Sequence, residues 1–209
     1  MKRFIIVLIF IPILSFSQNN IERQLDSINS SEDALSFIKK SKYDGQVFTF
    51  NKEKHKTRLA DDLFKLSKGS KKIIRTNYNK TYYKVLDKSE ITYYRFDIIV
   101  IDAAKTSDFA AKAIRAKILS QYNEGYRFKD LAKHHSTGPT AKMRGDTGWI
   151  KPGDISSAFD EAAFNENREL NTIFSIDDIE NKKFYLAIKT KDRTPIEEIT
   201  VLKFTEEAK

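Results

Sequence analysis

The chain contains no cysteine, which excludes both a disulfide and a lipid-modified N-terminal cysteine. Stability must therefore come from a packed core alone. With 40% apolar residues among 209, the composition is sufficient for an ordinary core of one medium domain or two small ones. The chain is accordingly interpreted as a folded protein and not as a disordered one.

The chain also lacks a long apolar run beyond its first residues. Lys2 and Arg3 precede an apolar stretch from Phe4 to Leu14, and small residues follow up to Ser17. This pattern predicts a signal peptide at 1–17, cleaved after Ser17, and hence an exported protein. The alternative is an uncleaved anchor helix, but a run of about eleven residues interrupted by Pro12 is too short for about 30 Å of hydrocarbon.

Basic residues are in excess, with a formal net charge of +8, but they are unevenly distributed. The segment 39–88 holds fifteen basic and five acidic side chains, so the rest of the mature chain is net acidic. No helix-turn-helix, zinc or aromatic RNA-binding pattern accompanies the basic segment, and nucleic acid is not an expected partner. We interpret it as a solvated lysine-rich face. A weaker alternative is salt-sensitive attraction to an anionic membrane surface or to acidic unfolded clients.

The second half of the chain has the clearest pattern of elements, in the order strand, helix, helix, strand, helix, strand, strand. Residues 93–102 are predicted to form a strand whose side chains point alternately to two faces, with apolar residues on both, as in a sheet that is covered on both sides. Gly125 is placed where the first helix ends, and Ser156 or Ser157 caps the third.

Several motifs within this region occur in a recognisable order. They are Phe128-Lys-Asp-Leu-Ala-Lys, His135-Ser-Thr-Gly-Pro, Arg144-Gly-Asp-Thr-Gly-Trp, and the stretch from Gly148 to Phe164. Together they resemble the parvulin (rotamase, PpiC-like) family of peptidyl-prolyl cis-trans isomerases over roughly 93–193. The resemblance implies an α+β fold, a four-stranded antiparallel sheet wrapped by helices, which acts on X-Pro bonds without a cofactor or metal.

We divide the chain into a signal peptide at 1–17, a helical lead-in at 18–44, a basic module at 45–90, the parvulin-like domain at 93–193 and a tail at 194–209. The basic module resembles the C-terminal half of a parvulin domain, because 61–88 and 161–193 share a loose helix-strand-strand pattern. Two unrelated units of that kind are the alternative. A strand in the tail would complete this first module.

The resemblance implies an apolar proline pocket formed from the third helix. Ile155 is at the position of the family's methionine, Phe159 at that of its pocket phenylalanine, and Phe164 lies one turn further along. All three are substrate-binding candidates. For Phe164, a position in the core is the favoured interpretation, since large aromatic side chains are commonly buried.

The polar side of the expected pocket departs from the family. The first-strand histidine is replaced by Asp97, and the last-strand histidine by Tyr185, or by Leu186 if the register shifts. The cysteine or aspartate of the loop after the second helix corresponds to Thr137 or Gly138. Asp97, Thr137 and Tyr185 are therefore the catalytic candidates.

Two hypotheses follow. The first is an exported peptidyl-prolyl isomerase of the periplasm or cell envelope, acting on X-Pro bonds of folding or unfolded envelope proteins. The second is a catalytically degenerate member of the fold that serves as a chaperone or peptide-binding assembly factor, its usual histidines being absent. Both imply proline-containing polypeptides as partners.

Overall fold

The structure is a computed structural model that describes residues 15–41 and 43–207, with side chains from residue 21 onward. The predicted signal peptide lies outside the described residues except for Ser15 to Ser17. None of the helices in the described ranges combines the length and apolar character that a bilayer-crossing helix needs. The helices are α1 Ser15–Asp26, α2 Ser31–Lys40, α3 Arg58–Phe64, α4 Asp108–Asn123, α5 Phe128–His135 and α6 Ser157–Ala163, with a 3-10 helix at Pro139–Met143. The strands are β1 Asp44–Asn51, β2 Lys71–Arg75, β3 Asn79–Asp102, β4 Asp146–Ile150, β5 Ile173–Asp178 and β6 Lys183–Glu207.

The chain forms two compact units. Unit 1 comprises the described residues up to 89 together with those from 197 to 207, and unit 2 comprises residues 90–196. The long strands β3 and β6 contribute residues to both units.

Unit 2 contains a four-stranded antiparallel sheet in the order β4-β3-β6-β5. Asp178 pairs with Lys183 and Ile173 with Ile188, so β5 and β6 form a tight hairpin. The pairing of β3 with β4 is interrupted by a register shift between Arg95 and Asp97. The predicted α+β fold with a four-stranded antiparallel sheet is confirmed.

Helices cover both faces of the unit 2 sheet. One face packs against α4 and α5 through a cluster that includes Ile99, Ile118, Phe128, Leu131 and Leu186. The other face packs against α6 through a cluster that includes Phe96, Ile98, Val100, Phe159 and Tyr185. Alternation along β3 therefore directs odd-numbered residues toward α4 and α5 and even-numbered residues toward α6.

Unit 1 repeats this layering with a different chain order. Its sheet has the order β1-β6-β3-β2. One face packs against α1 and α2 through Leu25, Tyr82, Phe204 and their neighbours. The other face packs against α3 through a cluster that includes Leu63, Tyr83, Val85 and Val201. Each unit thus has two helices on one side of four strands and a single helix on the other.

The order of elements also corresponds between the units. Unit 2 runs as strand, two helices, strand, helix, strand, strand, whereas unit 1 has the same sequence with the first strand moved to its end, supplied by the last part of β6. The connection before the single helix is six residues long in both, 52–57 and 151–156. Each connection ends in a capping residue, Thr57 or Ser156, whose side-chain oxygen accepts a hydrogen bond from the N–H three residues on.

A buried lysine binds the end of a helix in unit 1. Lys84 on β3 is only 2% exposed, and its Nζ donates to the carbonyl oxygens of Leu25 and Asp26 at the C-terminal end of α1. The last carbonyls of a helix lack partners within it, so a cation there satisfies them and complements the helix dipole. Burial nevertheless lowers the pKa of Lys84, because desolvation disfavours the charged ammonium.

Candidate functional site

A hollow of about 440 Å³ lies on the α6 side of the unit 2 sheet. Its apolar wall is formed by Ile98, Val100, Ile150 and Ile155. Polar groups come from the segment after α5, from β6, from Asp102 and Thr147 on β3 and β4, and from Asp154 before α6. This volume is in the range of sites that hold small ligands or a few residues of a peptide.

The segment that follows α5 is held against β3 beside the hollow. The backbone N–H and the Oγ1 of Thr137 both donate to the carbonyl oxygen of Val100, at 2.8 and 2.9 Å, and the Val100 N–H donates to Ser136 Oγ at 3.0 Å. A Cβ on Gly138 would lie 2.8 Å from Val100 Cγ2, so only glycine allows this close approach to β3.

The floor of the hollow is formed by Tyr185, whose side chain is nearly fully buried. Burial, with the nearby Asp178 carboxylate as the next cause, raises the pKa of Tyr185 to about 12. The phenol therefore stays protonated at neutral pH and remains a hydrogen-bond donor. The side chain of Ser156, the cap of α6, acts in the direction that lowers the pKa of both Tyr185 and Asp178.

One hydroxyl beside the hollow is unsatisfied. Thr140 lines the hollow, and its Oγ1 is buried without a hydrogen-bond partner in the described structure. Buried polar atoms are nearly always bonded, so an unpaired hydroxyl at this place is available to a ligand.

The mouth of the hollow carries three exposed charged residues, Asp102, Asp154 and Lys183. Asp102 accepts a hydrogen bond from the N–H of Ala104 at 2.8 Å, and Asp154 one from the N–H of Lys151 at 3.1 Å. Each carboxylate keeps one oxygen outside these turns.

Three of the predicted site residues come together here. Thr137, Ile155 and Tyr185 all line the hollow, as does Gly138, the alternative to Thr137. Leu186, the alternative to Tyr185, instead packs in the core on the opposite face of the sheet.

The two phenylalanines lie away from the lining. Phe159 is 0% exposed and packs edge-on against Phe96 and Tyr185, each at 5.6 Å between ring centroids. In this conformation its ring supports the floor from beneath and offers no surface to a ligand. Phe164 is half-buried and packs against Tyr94 at 4.7 Å, which agrees with the core interpretation of its role.

Asp97 does not join this group. It lies on the α4 and α5 side of the sheet, where it faces a second hollow with Tyr122 and Phe128, and its carboxylate is 4.0 Å from Lys129 Nζ. Burial raises the pKa of Asp97. Phe96, one residue earlier, occupies the α6 side. The expected polar set of Asp97, Thr137 and Tyr185 is thus not assembled, because the register shift and the alternation of β3 direct Asp97 away.

Several lining residues escaped the sequence analysis. Thr140 lies outside the motifs, and Asp102 and Lys183 lie at strand ends, where no periodicity singles them out. Asp154 lies within the stretch from Gly148 to Phe164, but the resemblance assigns it no role. The carboxylate of Asp178, on β5, accepts hydrogen bonds from Asn181. Across residues 15–41 and 43–207, no three His, Cys, Asp or Glu side chains converge as metal ligands would.

Comparison with known proteins places this region in a family. The family model described as "PPIC-type PPIASE domain" matches residues 81–194, just over half of the chain. Chaperone SurA of Colwellia psychrerythraea is 36% identical over 96 residues, which are 43% of this chain and 22% of that protein. Chaperone SurA of Nitrosospira multiformis is 28% identical over 91 residues, 44% of this chain and 20% of that protein. The chain therefore spans about a fifth of the length of these curated relatives.

A solved PpiC-type peptidyl-prolyl cis-trans isomerase domain is 22% identical, with a TM-score of 0.44, and the match covers 50% of this chain and 93% of that domain.

Proposed function

The chain belongs to the family of PPIC-type peptidyl-prolyl isomerase domains, and from that premise we propose that unit 2 binds extended polypeptide at a proline and accelerates its cis-trans rotation. The observation that carries the proposal is the hollow of about 440 Å³, whose lining combines apolar side chains with the hydroxyl-bearing side chains of Thr137, Thr140, Thr147 and Tyr185. The substrates we propose are folding or unfolded envelope proteins.

The chemistry demands little beyond this geometry. An X-Pro bond rotates slowly because twisting breaks amide resonance, and no covalent step is needed. The apolar wall around Ile155 suits a pyrrolidine ring. The hydroxyls of Thr140 and Tyr185 suit a carbonyl whose dipole changes as the amide twists, and hydrogen bonds that form better to the twisted amide would lower the barrier.

The test is a cis-trans exchange measurement by NMR on an Ala-Pro peptide with the full chain and two variants. We expect Ile155→Ala to lower kcat/KM about tenfold, since it removes three carbon atoms from the apolar wall. Tyr185→Phe, which keeps the ring, is expected to lower it about threefold to tenfold through the lost hydrogen bond. The matched control is Ile114→Ala, because Ile114 is an isoleucine on α4 that is 43% exposed. Equal activity of all four proteins would disprove the proposal.

A second candidate is peptide holding without isomerisation. It is favoured by the buried state of Tyr185 and Phe159 and by the absence of a histidine from the lining. In that case the chain would suppress aggregation of a proline-free client and show no exchange on any proline peptide. Exchange on Ala-Pro rules it out as the sole function.

Export is a further part of the proposal and is supported by the charge and apolar pattern of residues 2–17. N-terminal sequencing of the protein from a secreting host would start at Gln18 if this is correct. An intact Met1 in the mature protein would contradict it.

A further inference from the structure

The mouth of the hollow has an uneven charge. Asp102 and Asp154 line it together with a single cation, Lys183. The positive charge of Lys183 also acts on Asp178, whose pKa it helps to lower. Asp178 is only 1% exposed. The charges around the hollow therefore sum to a negative value, with two carboxylates accessible at its rim.

Neither rim carboxylate is neutralised by a neighbour. Within residues 15–41 and 43–207, no ion pair shorter than 4.0 Å involves Asp102 or Asp154. Their hydrogen bonds to Ala104 and Lys151 come from backbone amides, which hold the carboxylates in place without cancelling their charge. By contrast Asp177, on the same unit, is held by both Lys112 and Arg115.

The hollow also has an independent mark of a ligand site, since the buried Thr140 Oγ1 on its lining is unpaired. A segment whose proline enters the hollow would extend past the rim, because the hollow holds only a few residues of a longer polypeptide. Its neighbouring side chain would then lie near Asp102 or Asp154.

From this arrangement we infer that the hollow prefers polypeptide segments with a lysine or arginine next to the proline, and that Asp102 and Asp154 are the residues that select them. The inference rests on the proposed function of the hollow and specifies its substrate class. An acidic residue next to the proline is disfavoured, because the same two carboxylates repel it. Because the rim is solvated, the preference is moderate and is screened by salt.

The experiment uses the full chain and three peptides that differ only in the residue before proline: lysine, alanine or glutamate. NMR titration gives the dissociation constant of each peptide, and exchange spectra of the same samples give kcat/KM. At low salt we expect the lysine peptide to exceed the glutamate peptide by about threefold to tenfold in affinity or kcat/KM. This ratio should fall toward one in 0.5 M salt, where the screening length is on the order of 4 Å.

The double variant Asp102→Asn/Asp154→Asn is expected to bring the ratio of the lysine peptide to the glutamate peptide close to one, because it removes both rim charges. Glu169→Gln is the control, since Glu169 is an exposed carboxylate of unit 2 that is not among the lining residues. A ratio near one in the wild-type chain, or a ratio that survives in the double variant, overturns the inference.

The two proposals fail in different ways. Binding with a lysine preference but no exchange on any peptide refutes the isomerase and keeps the charge selection. Exchange on all three peptides without a charge preference refutes the charge selection and keeps the isomerase. Absence of binding by all three peptides refutes both.

Discussion

The two units share one arrangement of helices and strands, but the connections that precede their single helices differ. In unit 2, the connection 151–156 holds Asp154 and Ile155 around the hollow. In unit 1, the connection of equal length folds His55 back onto its strand, where the imidazole packs on Phe50 at 5.4 Å and accepts a hydrogen bond from the N–H of Asn51 at 2.8 Å. The fold alone therefore does not specify a site, which depends on the few side chains between the single helix and the sheet.

The single helices illustrate the same point. Counted from the capping residue, α6 has a phenylalanine at the third position and an alanine at the seventh, Phe159 and Ala163. α3 has them reversed, as Ala60 and Phe64. All four are buried. Each helix fills its interface with one aromatic ring, but only in unit 2 does that ring lie beneath the tyrosine of the hollow.

The largest effects should come from these rings. Phe159→Ala and Phe64→Ala are each expected to destabilise their own unit by about 3–5 kcal/mol, because both leave a cavity in a packed core. Hydrogen exchange of the amides of β5 and β2 would report on unit 2 and unit 1 separately. A loss below about 1 kcal/mol in the free energy of unfolding for Phe159→Ala would mean that the ring does not support Tyr185 from beneath.

A smaller effect concerns the layer of paired helices. Lys84→Met should cost about 1–3 kcal/mol, since the carbonyl oxygens of Leu25 and Asp26 lose a charged donor. Leu186→Met, on the corresponding face in unit 2, is the matched control and should cost about 1 kcal/mol or less. Circular dichroism and chemical denaturation measure both. Equal losses would show that Lys84 contributes as packing and not as a cap.

The smallest effects are opposite pH dependences in the two units. Burial raises the pKa of Asp97, so the folded chain binds the proton of this carboxyl group more tightly than the unfolded chain does. The contribution of Asp97 to the free energy of unfolding therefore falls as the pH rises from about 4. Asp97→Asn should therefore stabilise unit 2 at pH 7 and change its stability little at lower pH, where the carboxyl group is protonated in both states. Hydrogen bonds from Lys52 and Lys88 lower the pKa of Glu197 in unit 1, so its stabilisation is present at neutral pH and is lost as pH falls.

Glu197→Gln should accordingly destabilise unit 1 at pH 7, with the loss disappearing toward acid. Unfolding followed at several pH values, with exchange of amides from each unit, distinguishes the two slopes. Slopes of the same sign for the two variants would refute this assignment.

Much of unit 2 was predictable from the sequence because its signals are local. A serine followed by an acidic first turn predicts the start of α6, and Gly125 with positive φ follows the end of α4. The motif singled out Ile155 and Tyr185, and both line the hollow. Asp97 was grouped with them from its position in the motif, but the register shift beside it depends on pairing with β4, which is fifty residues away in the chain.

The sequence by itself determined the family, the α+β class, the helix caps and, of the apolar wall, Ile155, since each is encoded in adjacent residues or in a period of two or 3.6. Only the tertiary structure decided that Phe159 closes beneath Tyr185, that Lys84 meets the end of α1, and that the last part of β6 lies beside β1 in unit 1. Those outcomes depend on contacts between residues far apart in the chain, whose geometry no local pattern records.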